Sequence, residues 1–278
     1  MTRLAKPAHH AAIQRITCFQ MRLSCQSGLH IGTGRGTGMN GADLPIIRDG
    51  GGRPLIPGSS LRGVLRAAIG ALAEAIKLKE ILPPCLVEKT DKPKDELRFE
   101  RFWETLDPVA RLFGAIGEKK DKNDQNTDRI NAYGSRLQLS DLICTSAEAS
   151  IGLRDGVAID RETRTAAQGG LYAYEVVDAG TQFMGQVRFL NAEDYEVGLL
   201  AQALWMLDQG LLLLGGKKVR GLGWVKVEVT EPTVRTAKEI LTGAKTDEDE
   251  TFGPVAEKLK TYTGQLRVLL KDSGAAET

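Results

Sequence analysis

LHIGTGRGTGMNGADLPIIRDGGGRPLIPGSSLRGVLR, residues 29–66, joins the first strand of the chain to its first helix, and its reading decides the fold. Glycines at 28, 32, 34, 36, 38 and 41 leave the backbone with little side-chain cover, so its N–H groups can approach an anion closely. Arg35 and Arg48 lie within the segment. Ser59 or Ser60 is expected to cap the helix that follows Pro57. On that helix Arg62 and Arg66, four apart, share a side near a terminus whose free N–H groups and dipole also favour anions. Asp43 then puts negative charge on a surface suited to phosphate. Such an acid is either turned away, paired with an arginine, or present for chemistry or a metal. Asp49, in RDGGGRP, has the surroundings of a turn acid.

Working outward, residues 1–12 form a loose leader. The first strand is expected at residues 16–29, where Phe19, Met21, Leu23 and Cys25 alternate with polar residues. Leu61, Val64, Leu65, Ala68, Ile69, Leu72 and Ile76 give the helix an apolar stripe. Residues 79–136 are charged and mixed, with a short aromatic helix near Phe99 to Phe113 and the polar run EKKDKNDQNTD, and are expected to be an insertion with a flexible tip. Strand patterns return at 137–146, 173–177 and 182–190. The polar, basic stretch RDGVAIDRETRTAAQGG between the first two reads as a projecting loop or hairpin. A second helix is expected from a cap at Asn191 through Leu214, with Leu199, Leu200, Ala203, Leu204 and Leu207 as its stripe, stopping at Gly215. GGKKVRGLGWVKVEV follows, a glycine-rich basic turn feeding an alternating strand. The order strand, helix, strand, strand, helix, strand is that of a ferredoxin-like unit, shared by RNA-recognition folds. The tail, residues 231–278, reads as a helical, peripheral extension.

The chain has 278 residues, 42% hydrophobic and 26% charged, enough for one elaborated α+β domain. A net charge of only +1 means that nucleic-acid binding must come from local clusters of base. Cys18, Cys25, Cys85 and Cys144 have no C-x-x-C spacing, which argues against cysteine-bound zinc and for buried thiols in a reducing cytosol. On one strand, Cys18 and Cys25 would face opposite ways. No apolar run approaches the roughly 20 residues of a membrane helix, and MTRLAKPAHH lacks a signal-peptide core, so the chain is expected to be intracellular.

Gly36, Gly38 and Gly41 match G-x-G-x-x-G, but Pro45 stands where a dinucleotide-binding unit would begin its helix; GGKK lacks the remainder of a P-loop. Lys217, Lys218, Arg220 and Lys226 form an acid-free run whose interspersed glycines favour phosphate contact over a solvated turn. Arg154, Arg161 and Arg164 are partly balanced by Asp155, Asp160 and Glu162, and alone would make a solvated hairpin. His30 is open to two roles, RNA contact or closing the strand end.

LHIGTG, ADLPIIRD, PLIPGSSLRGVLR, LFG at 112–114, GVAIDRETRTAAQGGLYAYEVV and GGKKVRGLGWV, in that order, resemble the RAMP superfamily, and specifically the repeated backbone subunit of type III CRISPR effector complexes. The resemblance implies a ferredoxin-like (RRM-like) palm with an inserted lid at 79–136. It also implies a projecting thumb hairpin at 151–170, where Ile159 and its neighbours wedge between bases. It implies a cytoplasmic, prokaryotic antiviral ribonucleoprotein in which copies or paralogues of the subunit stack along a guide RNA beside other subunits, including the large polymerase-like one. Complementary target RNA is then cut, with Mg²⁺ or another divalent metal, at Asp43, the acid of the D-x-P motif and a metal ligand in one version of the chemistry. Guide contacts are carried over to His30, Ser59, Ser60, Arg62 and the turn at 215–223, which holds Lys217, Lys218 and Arg220. Arg35, Arg66, Arg154, Arg161 and Arg164 complete the expected RNA-binding set.

A displaced nucleotide aligns its 2′-hydroxyl with the adjacent phosphate, and intramolecular attack then needs orientation and charge relief. Asp43 serves as base or as holder of a Mg²⁺ otherwise bound by water and phosphate, and Arg35 or Arg48 balances the phosphate. The insertion lacks a cysteine or histidine cluster, so no zinc is expected, and Arg164 stands where relatives often have glycine. Two rivals remain at this stage: a structural filament subunit that binds guide RNA without cutting, and a guide-processing endoribonuclease, against which the scarcity of histidine argues.

Overall fold

The computed structural model describes residues 13–34, 36, 42–78, 107–116, 132–243 and 250–272. β1, Arg15–Cys25, turns Thr17, Phe19, Met21, Leu23 and Cys25 inward and leaves the residues between them half-buried, the result of a period of two in a strand covered on one side. It ends short of the expected Leu29 because Gln26 and Ser27 turn to donate to the carbonyl of Trp224. Gly28 then passes so close to Val176 that a β-carbon would come within 2.5 Å of it. Cys18 and Cys25 face opposite sides, and burial, then the charge of Cys144, pushes the Cys25 thiol up to about 12, leaving it protonated and inert.

The further strands are β2, Leu55–Ile56; β3, Ala115–Ile116; β4, Ala132–Tyr133; β5, Leu137–Leu139; β6, Leu142–Cys144; β7, Ile151–Ile159; β8, Ala166–Val177; β9, Gln182–Leu190; β10, Val225–Val229; β11, Thr233–Thr236; and β12, Gly253–Pro254. The main sheet runs β12-β10-β1-β9-β6-β2, with β11 also on β1 and β5 on β9, and its pairings are antiparallel. Leu23 lies opposite both Val227 and Phe183, so the centre of the sheet presents one apolar face. β3 pairs with β4 apart from it. The chain is therefore a mixed α and β protein built on an antiparallel sheet.

The helices are α1, Gly58–Ala75; α2, Pro108–Phe113; α3, Asp194–Asp208; α4, Ala237–Thr242; α5, Val255–Lys258; and α6, Lys260–Asp272. α1 buries Leu61, Leu65 and Ile69 from the expected stripe, whereas Leu72 and Ile76 stay exposed. Its cap is not Ser59 or Ser60. Pro57 occupies that position with no side-chain cap, and the Gly58 N–H donates to Asp141 Oδ1 at 2.8 Å. The start of α1 is sterically fixed: Gly58 packs against the carbonyls of Leu139 and Ser140, where a β-carbon would sit at 2.6 and 2.8 Å.

α3 buries Leu199, Leu200, Ala203, Leu204 and Leu207 as expected, each leucine contributing about 1.5–3 kcal/mol. Its bounds differ from the expectation. Glu193 is the N-cap and forms a capping box with Glu196. Asn191, at φ 52, instead accepts hydrogen bonds from the N–H groups of Gln14 and Arg15. The helix ends at Asp208, and Gly210 follows in left-handed conformation at φ 69.

Beneath the start of α3 lies a charged group. Glu196, fully buried, pairs with buried Arg136 at 2.5 Å, and Arg111 donates to Tyr195 Oη at 2.5 Å. Beyond Glu231 the chain is not helical throughout. β11 extends the sheet along the start of β1, β12 lies on β10, and α6 packs on α3 with Leu259 and Leu266 buried. Of residues 79–136, the stretches 79–106 and 117–131 lie outside the described residues, including most of the expected aromatic helix; Asp107 caps its described end, α2. Among the described residues no helix is long and apolar enough to cross a membrane.

Candidate nucleic-acid interface

β7 and β8 form a two-stranded sheet of their own, joined to the rest through bridges at Leu29↔Val177 and Leu44↔Tyr174. The hairpin is longer than the sequence pattern implies: β8 begins at Ala166 rather than Ala173. Asp160 holds its turn by accepting from the N–H groups of Glu162 and Thr163, and the Thr163 and Glu162 hydrogen bonds keep its carboxyl below the usual range. Leu153, Val157, Ile159 and Leu171 are exposed along the hairpin.

The glycine-rich segment before α1 is zipped onto β8. The Leu44 N–H donates to the Ala173 carbonyl at 3.2 Å, and the Glu175 N–H donates to the Leu44 carbonyl at 3.1 Å. Asp43, exposed, accepts from the Ala173 N–H through Oδ2 at 2.8 Å. Of the three fates open to this acid, pairing with Arg48 is ruled out. Arg48 is held by Glu175, itself 1% exposed, at 2.9 Å, and the second Glu175 oxygen accepts from the Ile46 N–H. Arg35 lies outside the described residues. Asp49 is a turn acid as expected, accepting from the N–H groups of Gly51 and Arg53; the Arg53 backbone bond, outweighing desolvation, holds its carboxyl low.

The basic turn at 215–223 closes against the same strand. Tyr172 and Tyr174, two apart, present their rings to one side, and the Tyr172 ring rests on Gly156, where a β-carbon would lie 2.4 Å away. Lys217 Nζ lies 4.6 Å from the centre of the Tyr172 ring and 5.3 Å from that of Tyr174, with the Arg220 guanidinium at 5.5 and 6.0 Å. Desolvation works to raise the Tyr172 phenol, but the hydrogen bond and charge of Lys217, with Arg220, outweigh it and leave the group below the ordinary tyrosine value. Asp43 is thus bonded to the backbone of Ala173, the residue that separates the two cation-bearing tyrosines along β8.

Glycine is required where this turn meets its neighbours. At Gly215, φ 79, a β-carbon would lie 2.4 Å from the His30 carbonyl; at Gly223, φ 94, one would lie 2.3 Å from that of Leu214. Gly223→Ala is expected to destabilise the protein by more than about 1 kcal/mol, read as a lower urea midpoint at unchanged slope. An unchanged midpoint would show that the turn yields without strain.

The other expected contacts are dispersed. His30 is buried, its Nδ1 2.7 Å from the Glu175 carbonyl and its ring edge-on to Tyr174. Arg62 is turned inward onto the Phe113 carbonyl, and its buried Nε has no partner among the described residues. Arg66, Arg154, Arg161, Arg164 and Lys218 are exposed, as is Ser59, while Ser60 is half-buried. At the start of α1, where free N–H groups were expected to favour an anion, the N–H of Gly58 is taken by Asp141. Sequence reading missed Tyr172, Tyr174 and Glu175, although aromatic residues two apart on a strand next to a basic turn are a usable signal. Among the described residues no group of three or more His, Cys, Asp and Glu is placed to hold a metal. Asp43 offers a single exposed carboxylate, one oxygen of which accepts from the Ala173 N–H.

A model of the RAMP superfamily matches residues 22–226. Two curated relatives bear the name CRISPR system Cms endoribonuclease Csm3. The protein from Methanocaldococcus jannaschii is 29% identical over 213 residues, 73% of this chain and 75% of its own length. That from Streptococcus thermophilus is 27% identical over 243 residues, 81% of this chain and 96% of its own. A chain of the Type III-B Cmr-beta apo-state structure is similar over 80% of this chain and 98% of its own, with 14% identity and a TM-score of 0.46.

Proposed function

We propose, because this chain belongs to the RAMP superfamily, that it is a cytoplasmic backbone subunit of a type III CRISPR ribonucleoprotein that binds guide RNA and cuts the target RNA paired to it. The naming of two relatives as endoribonucleases supports the enzyme reading. The sheet order β10-β1-β9-β6, with α1 and α3 in the crossovers, supports a ferredoxin-like palm within one domain. Within it, residues 79–136 are the inserted lid, the β7–β8 hairpin is the thumb, and residues 231–278 are an extension. Other copies or paralogues, and the large polymerase-like subunit, are the proposed partners.

The observation that carries the proposal is the exposed Asp43 carboxylate fixed to the Ala173 N–H between two tyrosines that hold Lys217 and Arg220. Cations and bare backbone attract a phosphate chain, and the acid stands beside it. Lys217, Lys218 and Arg220, with Arg66, Arg154, Arg161 and Arg164, are the cations offered to RNA; Ser59 and Ser60 add hydroxyls, and buried His30 supports the turn. In the reaction, Asp43 accepts the proton of a target 2′-hydroxyl. The resulting oxygen bonds to the adjacent phosphorus, and the 5′-oxygen leaves as an alcohol after taking a proton from water. A lone exposed carboxylate suits Mg²⁺, which keeps most of its shell as water and phosphate oxygen. Asp43 would hold it, and when bound the ion would relieve charge on the phosphate.

The test is assembly with a defined guide and a labelled complementary RNA. Mg²⁺-dependent cuts at even spacing are expected; tight binding without cuts would leave a structural filament subunit. Contact with phosphate has its own readout. Lys218→Ala is expected to weaken binding to RNA of any sequence and to reduce the slope of log affinity against log salt by about 0.7. An unchanged slope would remove Lys218 from the interface.

A further inference from the structure

The basic turn leads directly into an aromatic side chain that neither the core nor the reaction above uses. Trp224 is 45% exposed, an unusual state for the largest apolar side chain. It is nevertheless held firmly. Its N–H donates to Ser27 Oγ at 3.1 Å, and its carbonyl accepts from the N–H groups of Gln26 and Ser27 at 2.8 and 3.2 Å. The indole rests on Gly210, where a β-carbon would lie 2.1 Å from the ring. With its backbone fixed and one side of its ring packed on Gly210, Trp224 has less side-chain freedom left to lose when a partner arrives.

The surroundings identify the partner. Trp224 directly follows the turn that carries Lys217, Lys218 and Arg220, and Gly223 is bonded to the Gly28 carbonyl. Beside Gly28 lies the Arg154 guanidinium, 3.4 Å from where a β-carbon would stand. A rigid aromatic face at the exit of a glycine-rich basic turn is how a protein holds a single-stranded chain: cations on the phosphates and a ring under a base. Resting on the RNA-binding reading above, we infer that Trp224 is a stacking platform for an unpaired nucleobase of the RNA that the basic turn holds. Stacking is tolerant of sequence because each base has a π-face, as suits a protein that meets many guides.

The experiment compares the full chain with its Trp224→Ala and Trp224→Phe variants, using a short single-stranded RNA and a sugar-phosphate chain of equal length without bases. Trp224→Ala is expected to bind the RNA about tenfold more weakly, the loss of one base–aromatic stack, with the salt slope unchanged because no cation is removed. Trp224→Phe should recover most of the loss. Binding of the base-free chain should be the same for all three proteins, which also shows that the fold is intact. Equal RNA affinity for wild type and Trp224→Ala would overturn the stacking role and leave the RNA-binding reading standing. Loss confined to association between copies of the chain would overturn it in favour of a protein contact. No RNA binding by wild type would overturn both readings.

Discussion

Asp43→Asn is expected to slow cleavage of guide-paired RNA by about 10²–10⁴-fold, the usual contribution of a positioned proton acceptor, while RNA binding persists. Asparagine is the more telling variant because its amide oxygen can still accept from the Ala173 N–H, a bond of 2.8 Å in the native chain. The local backbone is therefore kept and only charge and basicity are lost. Binding should be unchanged or slightly tighter, since a negative charge is removed from a surface that meets phosphate. Asp43→Ala should lose cleavage to the same degree and add a small stability cost for the unpaired N–H. Single-turnover rates with bound RNA separate these effects. Full-speed cutting by Asp43→Asn would move the chemistry to another residue or subunit.

Arg136→Met carries the largest expected effect on stability. Glu196 is fully buried, pairs with Arg136 at 2.5 Å, and its Oε1 has no partner among the described residues. Removing the guanidinium leaves an uncompensated interior carboxylate, a loss of about 3–5 kcal/mol from a total of about 5–15. Neighbouring Glu193 adds a pH signature. Desolvation first, then the charge of Glu196, raises its pKa, and Arg136 is the foremost influence lowering it. A carboxyl with a raised folded-state pKa favours folding below its unfolded value, and that benefit is lost as pH rises through the folded one. The deficit of Arg136→Met should therefore be smaller in acid than at neutral pH. Urea denaturation at both pH values checks this. A deficit below 1 kcal/mol at neutral pH would mean that Glu196 finds another partner.

The fold was most legible where one period governs a stretch. Alternation in β1 and the leucine stripe of α3 both translate directly into burial. Caps were less legible: Asp141 closes the start of α1 from a distant loop, which spacing along the chain does not show, whereas at α3 the local pair Glu193 and Glu196 takes the cap in place of Asn191. At the candidate site, glycine and base marked the turn, and the acid was visible in its motif. Its setting was hidden, since nothing local in YAYEVV shows that Glu175 is buried on Arg48 or that the Ala173 N–H meets Asp43. Arg62 resembled a surface cation by spacing, yet it turns inward to a carbonyl on α2. Such contacts depend on how elements dock, information that spacing along the chain does not carry.

The attachment of Asp43 to β8, and not to the central sheet, divides the molecule into parts that can open separately. The hairpin has its own ladder and meets the rest at its base, through the bridges at Leu29 and Leu44, the contacts of Glu175 with Arg48, Ile46 and His30, Val177 in the main core, and the Tyr174, Val176 and Leu222 cluster. The outer part of the hairpin, exposed along both strands, is expected to open locally at a lower free energy than the main core. An excursion that frays β8 as far as Tyr174 would release the acid, the tyrosines and their cations together while the central sheet stays folded. The residence of the carboxylate at the Ala173 N–H is thus set by a sub-global equilibrium, which a melting temperature for the whole chain does not measure.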